Sequence, residues 1–292
     1  MPKSHTIGLA IRPGVEQAEE LGLKVLAWAK KRKLPILLER ETAAILKSGH
    51  KGVSERELAN NADPIVVLGG DGTLIGIAHY VEKRCPTLVG VNFGHLGFLT
   101  ELAPSELMDV LDSVLDGGVK CGERSMILAE VLRKGKVVFS AQGVNEAAVL
   151  KGAEDSLLDI DFAVDGEPVM RLRADGLIIA TSTGSTAYSL AAGGSIVYPT
   201  LPVILVTPIC PHSLTARPLI LKLDSELTLS IPPYEGKVVL SVDGQVSTAL
   251  SSGDLIRVTR AKHSVKFVRS PSRSYFNILS AKLNWGIANK GD

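Results

Sequence analysis

Ile65-Val66-Val67-Leu68 is an unbroken apolar run that passes directly into Gly69-Gly70-Asp71-Gly72-Thr73, and a helical pattern over residues 72–83 follows at once. An apolar run without alternation describes a strand covered on both faces. A glycine turn leading from such a strand into a helix opens a β-α-β unit, and it commits the surrounding chain to a parallel sheet with helices packed on it. The neighbouring segments agree. Residues 6–11, 36–38 and 87–91 read as short strands, and residues 104–115 as a helix. Residues 15–33 read as a helix with apolar Ala18, Leu21, Val25, Leu26 and Ala29 near helical spacing. The basic run Lys30-Lys31-Arg32-Lys33 complements the negative end of that helix's dipole before Pro35.

After Gly117-Gly118 the texture changes. Short period-two or β-branched segments follow at 127–132, 136–140, 144–150, 157–164, 177–180, 203–206, 226–231, 238–242, 255–258 and 265–268. Several are separated by turn pairs, among them Lys134-Gly135, Asp165-Gly166, Glu235-Gly236 and Asp243-Gly244. One helical pattern interrupts them, near 186–192. This region reads as an antiparallel β domain of sandwich type. The expected division is an α/β domain over 1–118 and a β domain over 119–273. In the segment from about 274 to 292, Tyr275, Phe276, Ile278, Leu279 and Leu283 are available to pack back on the first domain.

Composition narrows the function classes. The chain has 292 residues, about twice a ~150-residue domain, so two domains are expected. With 45% apolar and 22% charged residues it has the makings of a sizeable core and needs no disulfide or metal to hold it together. Lys and Arg number 32 against 31 Asp and Glu, so no global positive field points to nucleic acid or an anionic membrane. An anionic ligand must be held by local groups. Cys85, Cys121 and Cys210 are odd in number and far apart, which fits a reducing compartment. The first residues carry no apolar stretch of signal-peptide length, and the longest apolar run, 201–210, is interrupted by Pro202 and Pro208. A soluble cytoplasmic protein is expected.

Three loops are placed to carry chemistry. The glycine turn at 69–73 lies where open α/β sheets bind ligands, beyond the carboxyl end of a strand. Glycines there let a backbone approach phosphate, and the helix start supplies N–H donors. It matches neither GxxxxGK[ST] nor GxGxxG, because no Lys follows and Ile75 holds the last position. It carries a carboxylate instead. Asp71 is a candidate general base or metal partner, or a simple helix cap. The second loop runs from Arg173 through Asp175-Gly176 and a short strand to a run of hydroxyl and glycine residues over 181–186, then a helix ending near Gly193-Gly194. Such hydroxyls and N–H groups suit phosphate or ribose, or serve the loop itself. The third is the glycine-punctuated loop 92–100. Asn145-Glu146 falls in a β-domain strand, where a polar pair is costly unless a partner or ligand satisfies it. Val242-Asp243-Gly244-Gln245 reads as a hairpin turn. His79, His95 and His212 are scattered and read as structural. HExxH, GxSxG and zinc-type Cys/His spacing are absent, and no metal-ligating set is expected.

Together these pieces resemble the NAD kinase family of bacterial type. The resemblance rests on the 69–73 turn, the 92–100 loop, Asn145-Glu146, the 173–194 stretch and the Pro-His-Ser-Leu-Thr-Ala-Arg-Pro-Leu-Ile-Leu segment at 211–221. Lipid kinases share the Gly-Gly-Asp-Gly-Thr loop; the Thr-Gly-Ser-Thr-Ala-Tyr-Ser-Leu run is the more selective. The resemblance implies a Rossmann-like α/β domain, an antiparallel sandwich-like β domain, a nucleotide site between them and a chain end that returns to the first domain. It implies transfer of the γ-phosphoryl of ATP, carrying Mg²⁺ or another divalent cation, to the 2′-hydroxyl of the adenosine ribose of NAD. Asp71 would be the general base, with Gly69, Gly70, Gly72 and Thr73 on phosphates. Asn145 and Glu146 would bind NAD through polar groups. Asp175, Thr186, Ala187, Tyr188, Ser189, Leu190 and Ala191 would line the dinucleotide site, Tyr188 stacking on a base. Gln245 would reach the site and Arg173 would meet an anionic or carboxamide group. The partners implied are NAD and ATP, without nucleic acid or membrane, in a homodimer or homotetramer. The chain departs from the family at Ala174, where Gly is usual, and at Ser182 and Ser195, where Pro is usual. A lipid or other small-molecule kinase, or a non-catalytic nucleotide sensor, is the alternative.

Overall fold

The computed structural model describes residues 5–94, 96–153 and 156–285. The chain opens with β1 (Ile7–Ile11), α1 (Glu16–Lys31), β2 (Ile36–Glu39), α2 (Arg40–Leu46), β3 (Gly52–Val53), α3 (Glu55–Asn61), β4 (Ile65–Leu68), α4 (Asp71–Ala78), β5 (Thr87–Val91), α5 (Leu107–Leu115) and β6 (Cys121–Arg124). It continues with β7 (Ile127–Arg133), β8 (Lys136–Gly143), β9 (Glu146–Lys151), β10 (Leu158–Val164), β11 (Glu167–Ala174) and β12 (Gly176–Thr181). After the short α6 (Tyr188–Ala191) come β13 (Val203–Ile209), β14 (Leu219–Lys222), β15 (Leu227–Ser230), β16 (Val238–Val242), β17 (Val246–Leu250) and β18 (Leu255–Arg260), and the chain closes with β19 (Val265–Val268) and α7 (Tyr275–Leu283).

Two compact units result, one of Met1–Glu123 with Val265–Asp292, the other Arg124–Ser264. In the first, a seven-stranded sheet has the order β3-β2-β1-β4-β5-β19-β6. β2 and β4 both pair parallel to β1, on opposite sides of it. The strand order therefore reverses at β1/β4, and the loops leaving these two strands flank the switch point where ligands of such sheets bind. β1 and β4 are buried along their whole length. Their Ile7, Leu9, Val66 and Leu68 join Ala18, Leu21 and Val25 of α1 and Leu107 and Leu111 of α5 in one core.

The second unit has two six-stranded sheets, β11-β10-β15-β18-β7-β8 and β14-β13-β12-β9-β16-β17. All their recorded pairings are antiparallel, as between β10 and β11 and between β12 and β13. Alternating burial along β7, β10 and β16 aims one face inward. Ile127, Ile160, Leu229 and Val258 from one sheet meet Val149, Ile179, Val206 and Leu240 from the other. β12 is buried at every position because its opposite face is covered too, with Ile178 and Ala180 packed on Val197 and Leu205. An α/β unit and an antiparallel β unit are thus both present.

Two expectations need correction. Residues 265–268 were placed in the β domain, yet β19 pairs parallel with β5 in the first sheet. A short Val-Lys-Phe-Val strand carries no label for its sheet, and beside β5 its Val265, Phe267 and Val268 are almost completely buried. The chain accordingly re-enters the first unit at Val265, nine residues ahead of the expected 274, and leaves it at Glu123 instead of 118. The helix after Ser274 buries Tyr275, Ile278 and Leu279 while Phe276 stays exposed. No described helix is long and apolar enough to cross a membrane.

Candidate active site

β4 ends at Leu68 and α4 begins at Asp71, so Gly69 and Gly70 make the whole turn. Gly70 occupies the cap position and Asp71 is the first helical residue. The Asp71 carboxylate does not cap its own helix; it reaches the 92–100 loop. Oδ1 accepts from the N–H groups of Leu99 (3.2 Å) and Thr100 (2.9 Å) and from the Thr100 hydroxyl (2.8 Å), while Oδ2 accepts from the Phe98 N–H (2.8 Å). Gly97 permits this approach, since a Cβ there would stand 2.0 Å from Oδ1. Asn92 ties the loop's start to its end, donating from Nδ2 to Thr100 Oγ1 (3.2 Å) and accepting from the Gly94 N–H (2.8 Å). Three donors crowd Oδ1 and one occupies Oδ2. Among the described residues, Oδ2 therefore keeps a lone pair, on a carboxylate whose orientation is fixed. The first N–H groups of α4 have no intrahelical acceptor and Gly72 is exposed, so donors and base lie at one strand end.

In the second unit the organising residue is Asp243, which the sequence shows only as half of an Asp-Gly turn. Asp243 and Gly244 both have positive φ, 52° and 64°, as a two-residue hairpin turn requires. From that turn the Asp243 carboxylate accepts from three successive N–H groups, Val144 (2.7 Å), Asn145 (2.8 Å) and Glu146 (2.9 Å). Glu146 opens β9, is only 8% exposed, and its Oε2 is buried with no hydrogen-bond partner. Burial, and then the Asp243 charge, push its carboxyl up to about 7 against the pull of the Tyr188 backbone N–H. A buried carboxyl oxygen without a hydrogen-bond partner is costly unless a donor reaches it.

The 181–186 run largely serves itself. Thr181 donates to Val144 O (2.6 Å), Ser182 to Leu201 O and Ser185 to Ser182 O (2.7 Å). Gly184 lies so close to Asn145 that a Cβ would stand 2.1 Å from its carbonyl oxygen, which locks this loop to the Asn145-Glu146 segment. Ser189, one of the implied ligand contacts, turns its hydroxyl inward to Thr207 Oγ1 (2.8 Å) and is fully buried. Thr186, Ala187 and Leu190 are partly open, and Tyr188 and Ala191 are exposed. Gln245 is exposed on the Asp243 turn, and Arg173 is exposed on β11. Asp175 follows Arg173 and lies 3.6 Å from Lys151 Nζ. His79 packs edge-on against Tyr80, its ring centroid 5.2 Å away, and His212 is exposed; His95 lies outside the described residues. Among the described residues no three His, Cys, Asp or Glu side chains are grouped to hold a metal.

Residues 7–119 match the family model described as the ATP-NAD kinase N-terminal domain, and residues 144–270 match the ATP-NAD kinase C-terminal domain. The chain belongs to the ATP-NAD kinase family. Its relatives include an NAD kinase of Geobacter metallireducens, 43% identical over 263 residues that span 90% of this chain and 92% of the relative. Another, from Solibacter usitatus, is 37% identical over 98% of this chain and 99% of its own length. Among solved structures, yeast NADH kinase complexed with NADH superposes with a TM-score of 0.89 at 28% identity, over 97% of this chain and 89% of that one. An NAD kinase from Archaeoglobus fulgidus in complex with ATP gives 0.73 at 26% identity, over 96% and 98%. ATP-NAD kinase membership disfavours the lipid-kinase and sensor alternatives. The glycine turn falls in the N-terminal match and the Asn145-Glu146, 181–191 and 243–245 segments in the C-terminal one.

Proposed function

We propose that this chain transfers the γ-phosphoryl of ATP to the 2′-hydroxyl of the adenosine ribose of NAD, giving NADP and ADP. The observation that carries the chemistry is Asp71, fixed by four hydrogen bonds with a lone pair left on Oδ2. A ribose hydroxyl is a weak nucleophile at neutral pH. As its oxygen attacks the γ-phosphorus, its proton passes to Asp71 Oδ2, and the bond to the β-bridging oxygen breaks with its electron pair leaving on ADP. The N–H groups of Gly70, Asp71 and Gly72 donate to the phosphates, those of Gly69 and Thr73 being held by Val91 O (3.0 Å) and Gly70 O (3.1 Å). Mg²⁺ brought in on ATP neutralises charge on the transferring group, since the turn carries no lysine. On the dinucleotide side, Glu146 Oε2 accepts a hydroxyl proton, Asn145 and Gln245 supply amide groups, and the exposed ring of Tyr188 offers a stacking face. Ser189 contributes only main chain, because its hydroxyl is buried on Thr207.

In this reading the enzyme works in the cytoplasm, supported by three cysteines that form no disulfide. It self-associates as a homodimer or homotetramer through the second unit, supported by exposed Val137 and Val138 on edge strand β8 and Val169 on edge strand β11. The test is incubation with NAD, ATP and Mg²⁺, with NADP read by an NADP-specific dehydrogenase. Asp71→Asn is expected to lower kcat by about 10²–10⁴-fold while NAD binding persists. Wild-type activity in the variant would remove Asp71 from the chemistry, and NAD binding without NADP formation by the wild type would overturn the reaction.

A further inference from the structure

The Asp71 carboxylate is only as well placed as the loop that holds it. Its four hydrogen bonds come from Phe98, Leu99 and Thr100, and between Asn92 and Glu101 none of the described residues lies in a helix or strand. One tie fixes the two ends of this loop to the sheet: the Asn92 N–H donates to Leu102 O (3.0 Å) and the Leu102 N–H to Gly90 O (3.3 Å). Other ties come from the segment that re-enters the first unit with β19 and α7. Glu101, next to Thr100 and buried, accepts at Oε2 from the buried N–H of Ser270 (3.1 Å), 169 residues further along the chain. Arg273 Nη1 donates to the Glu101 carbonyl oxygen (3.2 Å). Glu106 extends the seam, its Oε1 accepting from the hydroxyls of Ser270 (3.1 Å) and Ser272 (2.7 Å) and its Oε2 from the Ala103 N–H (2.8 Å). At the other side of the triplet, Lys282 of α7 sets its ammonium 5.7 Å from the centre of the Phe98 ring, within cation–π range.

We infer that Glu101 and Lys282 are positioning residues for the phosphoryl step: together with Ser270 and Arg273 they brace the Phe98–Thr100 backbone from both sides, and through it keep Asp71 Oδ2 aimed at the attacking hydroxyl. The inference rests on the reading of Asp71 as the base. Three successive residues converge their donors on one carboxylate, so a shift of their backbone turns the carboxylate with it. A base works only within hydrogen-bond reach of the proton it takes, and a misplacement of about 1 Å can cost on the order of 10²-fold in rate. Glu101 and Lys282 act through Asp71 and touch no substrate, so they govern the rate of the step and not the affinity for ATP or NAD.

The experiment is pre-steady-state NADP formation at saturating NAD and Mg²⁺-ATP, which reads the phosphoryl step apart from product release. It is run on wild type, Glu101→Gln, Lys282→Met and Lys282→Arg, each also combined with Asp71→Asn. Glutamine is isosteric and keeps an acceptor for the Ser270 N–H, Lys282 is exposed, and thermal melting reports folding. Lys282→Met is expected to slow the step about threefold to fivefold and Glu101→Gln about tenfold, with KM for both substrates unchanged. Lys282→Arg keeps a cation over the ring and holds the wild-type rate. On the Asp71→Asn background neither Glu101→Gln nor Lys282→Met slows the reaction further, because the base they position is gone; a general loosening of the fold would cost the same on both backgrounds. If Glu101→Gln melts early, the two Lys282 variants decide. Wild-type rates in the folded variants, or a loss that persists in full without Asp71, overturn the inference and leave Asp71 as the base. A wild-type rate in Asp71→Asn alone, or no NADP from the wild type, overturns the reading of Asp71 and the inference with it.

Discussion

Glu146 is where residue chemistry gives the sharpest pH signature. Its carboxyl is raised to about 7, by burial first and Asp243 second. The native state thus holds a proton that the unfolded chain releases near 4.5. Stability from this group is complete below the unfolded value and is lost as pH rises through the folded one. The shift corresponds to an order of 3 kcal/mol. Glu146→Gln removes this dependence. The variant should match wild type near pH 4.5 and exceed it at pH 8, read by urea unfolding at both pH values; parallel curves would show that Glu146 is not the titrating group. NAD tests the same residue from the other side. A ribose hydroxyl donating to Oε2 favours the carboxylate, so NAD binding near pH 7 should release a proton. Titration in two buffers of different ionisation enthalpy measures it, and zero release would remove Glu146 from the ligand contacts.

Elements decide which residues can act together, and the β16–β17 hairpin shows how. Its Asp-Gly turn is legible in sequence from turn chemistry alone. The clamp it forms is not, because the N–H groups Asp243 holds lie 97–99 residues away. Asp243→Asn would turn an amide N–H₂ toward backbone donors and leave at least one unsatisfied. The expected cost is roughly 2–3 kcal/mol, seen as a lower urea midpoint, together with weaker NAD binding. An unchanged midpoint would mean that the Val144–Glu146 segment holds its shape without the clamp. The same limit explains the other gains and misses. β4 and its glycine turn, α1 and the alternating strands are readable because burial on one or both faces writes a period. The helices α2 and α3, seven residues each, are too short to show one, and β19 carries a strand pattern without its sheet. Asp71 and Glu146 stand out as carboxyls where a loop or strand tolerates them poorly. The hydroxyls of 181–189 look equivalent in sequence, and only packing separates those turned inward, such as Ser185 and Ser189, from the partly open Thr186.

At the scale of the whole chain, the first unit is built from two stretches of sequence with the second unit inserted between them. β19 lies between β5 and β6 in the sheet order, not at an edge. It buries Val265, Phe267 and Val268, and α7 adds Tyr275, Ile278 and Leu279. At about 1.5–3 kcal/mol for each large apolar side chain buried, the returning segment contributes on the order of 10 kcal/mol. That is comparable to the roughly 5–15 kcal/mol net stability of a whole domain. A chain ending at Ser264 should therefore lose the cooperative fold of its first unit, seen as lost helical circular dichroism. The continuous segment 124–264 should keep its strands, because all twelve strands of its two sheets lie within it. Joining Glu123 to Val265 through a short glycine linker restores every sheet partner of β5 in one uninterrupted chain, and this permutation of content should unfold as a single cooperative unit. If the chain ending at Ser264 keeps its helical signal and urea midpoint, β19 and α7 are dispensable, and the first 123 residues hold enough core to fold without them.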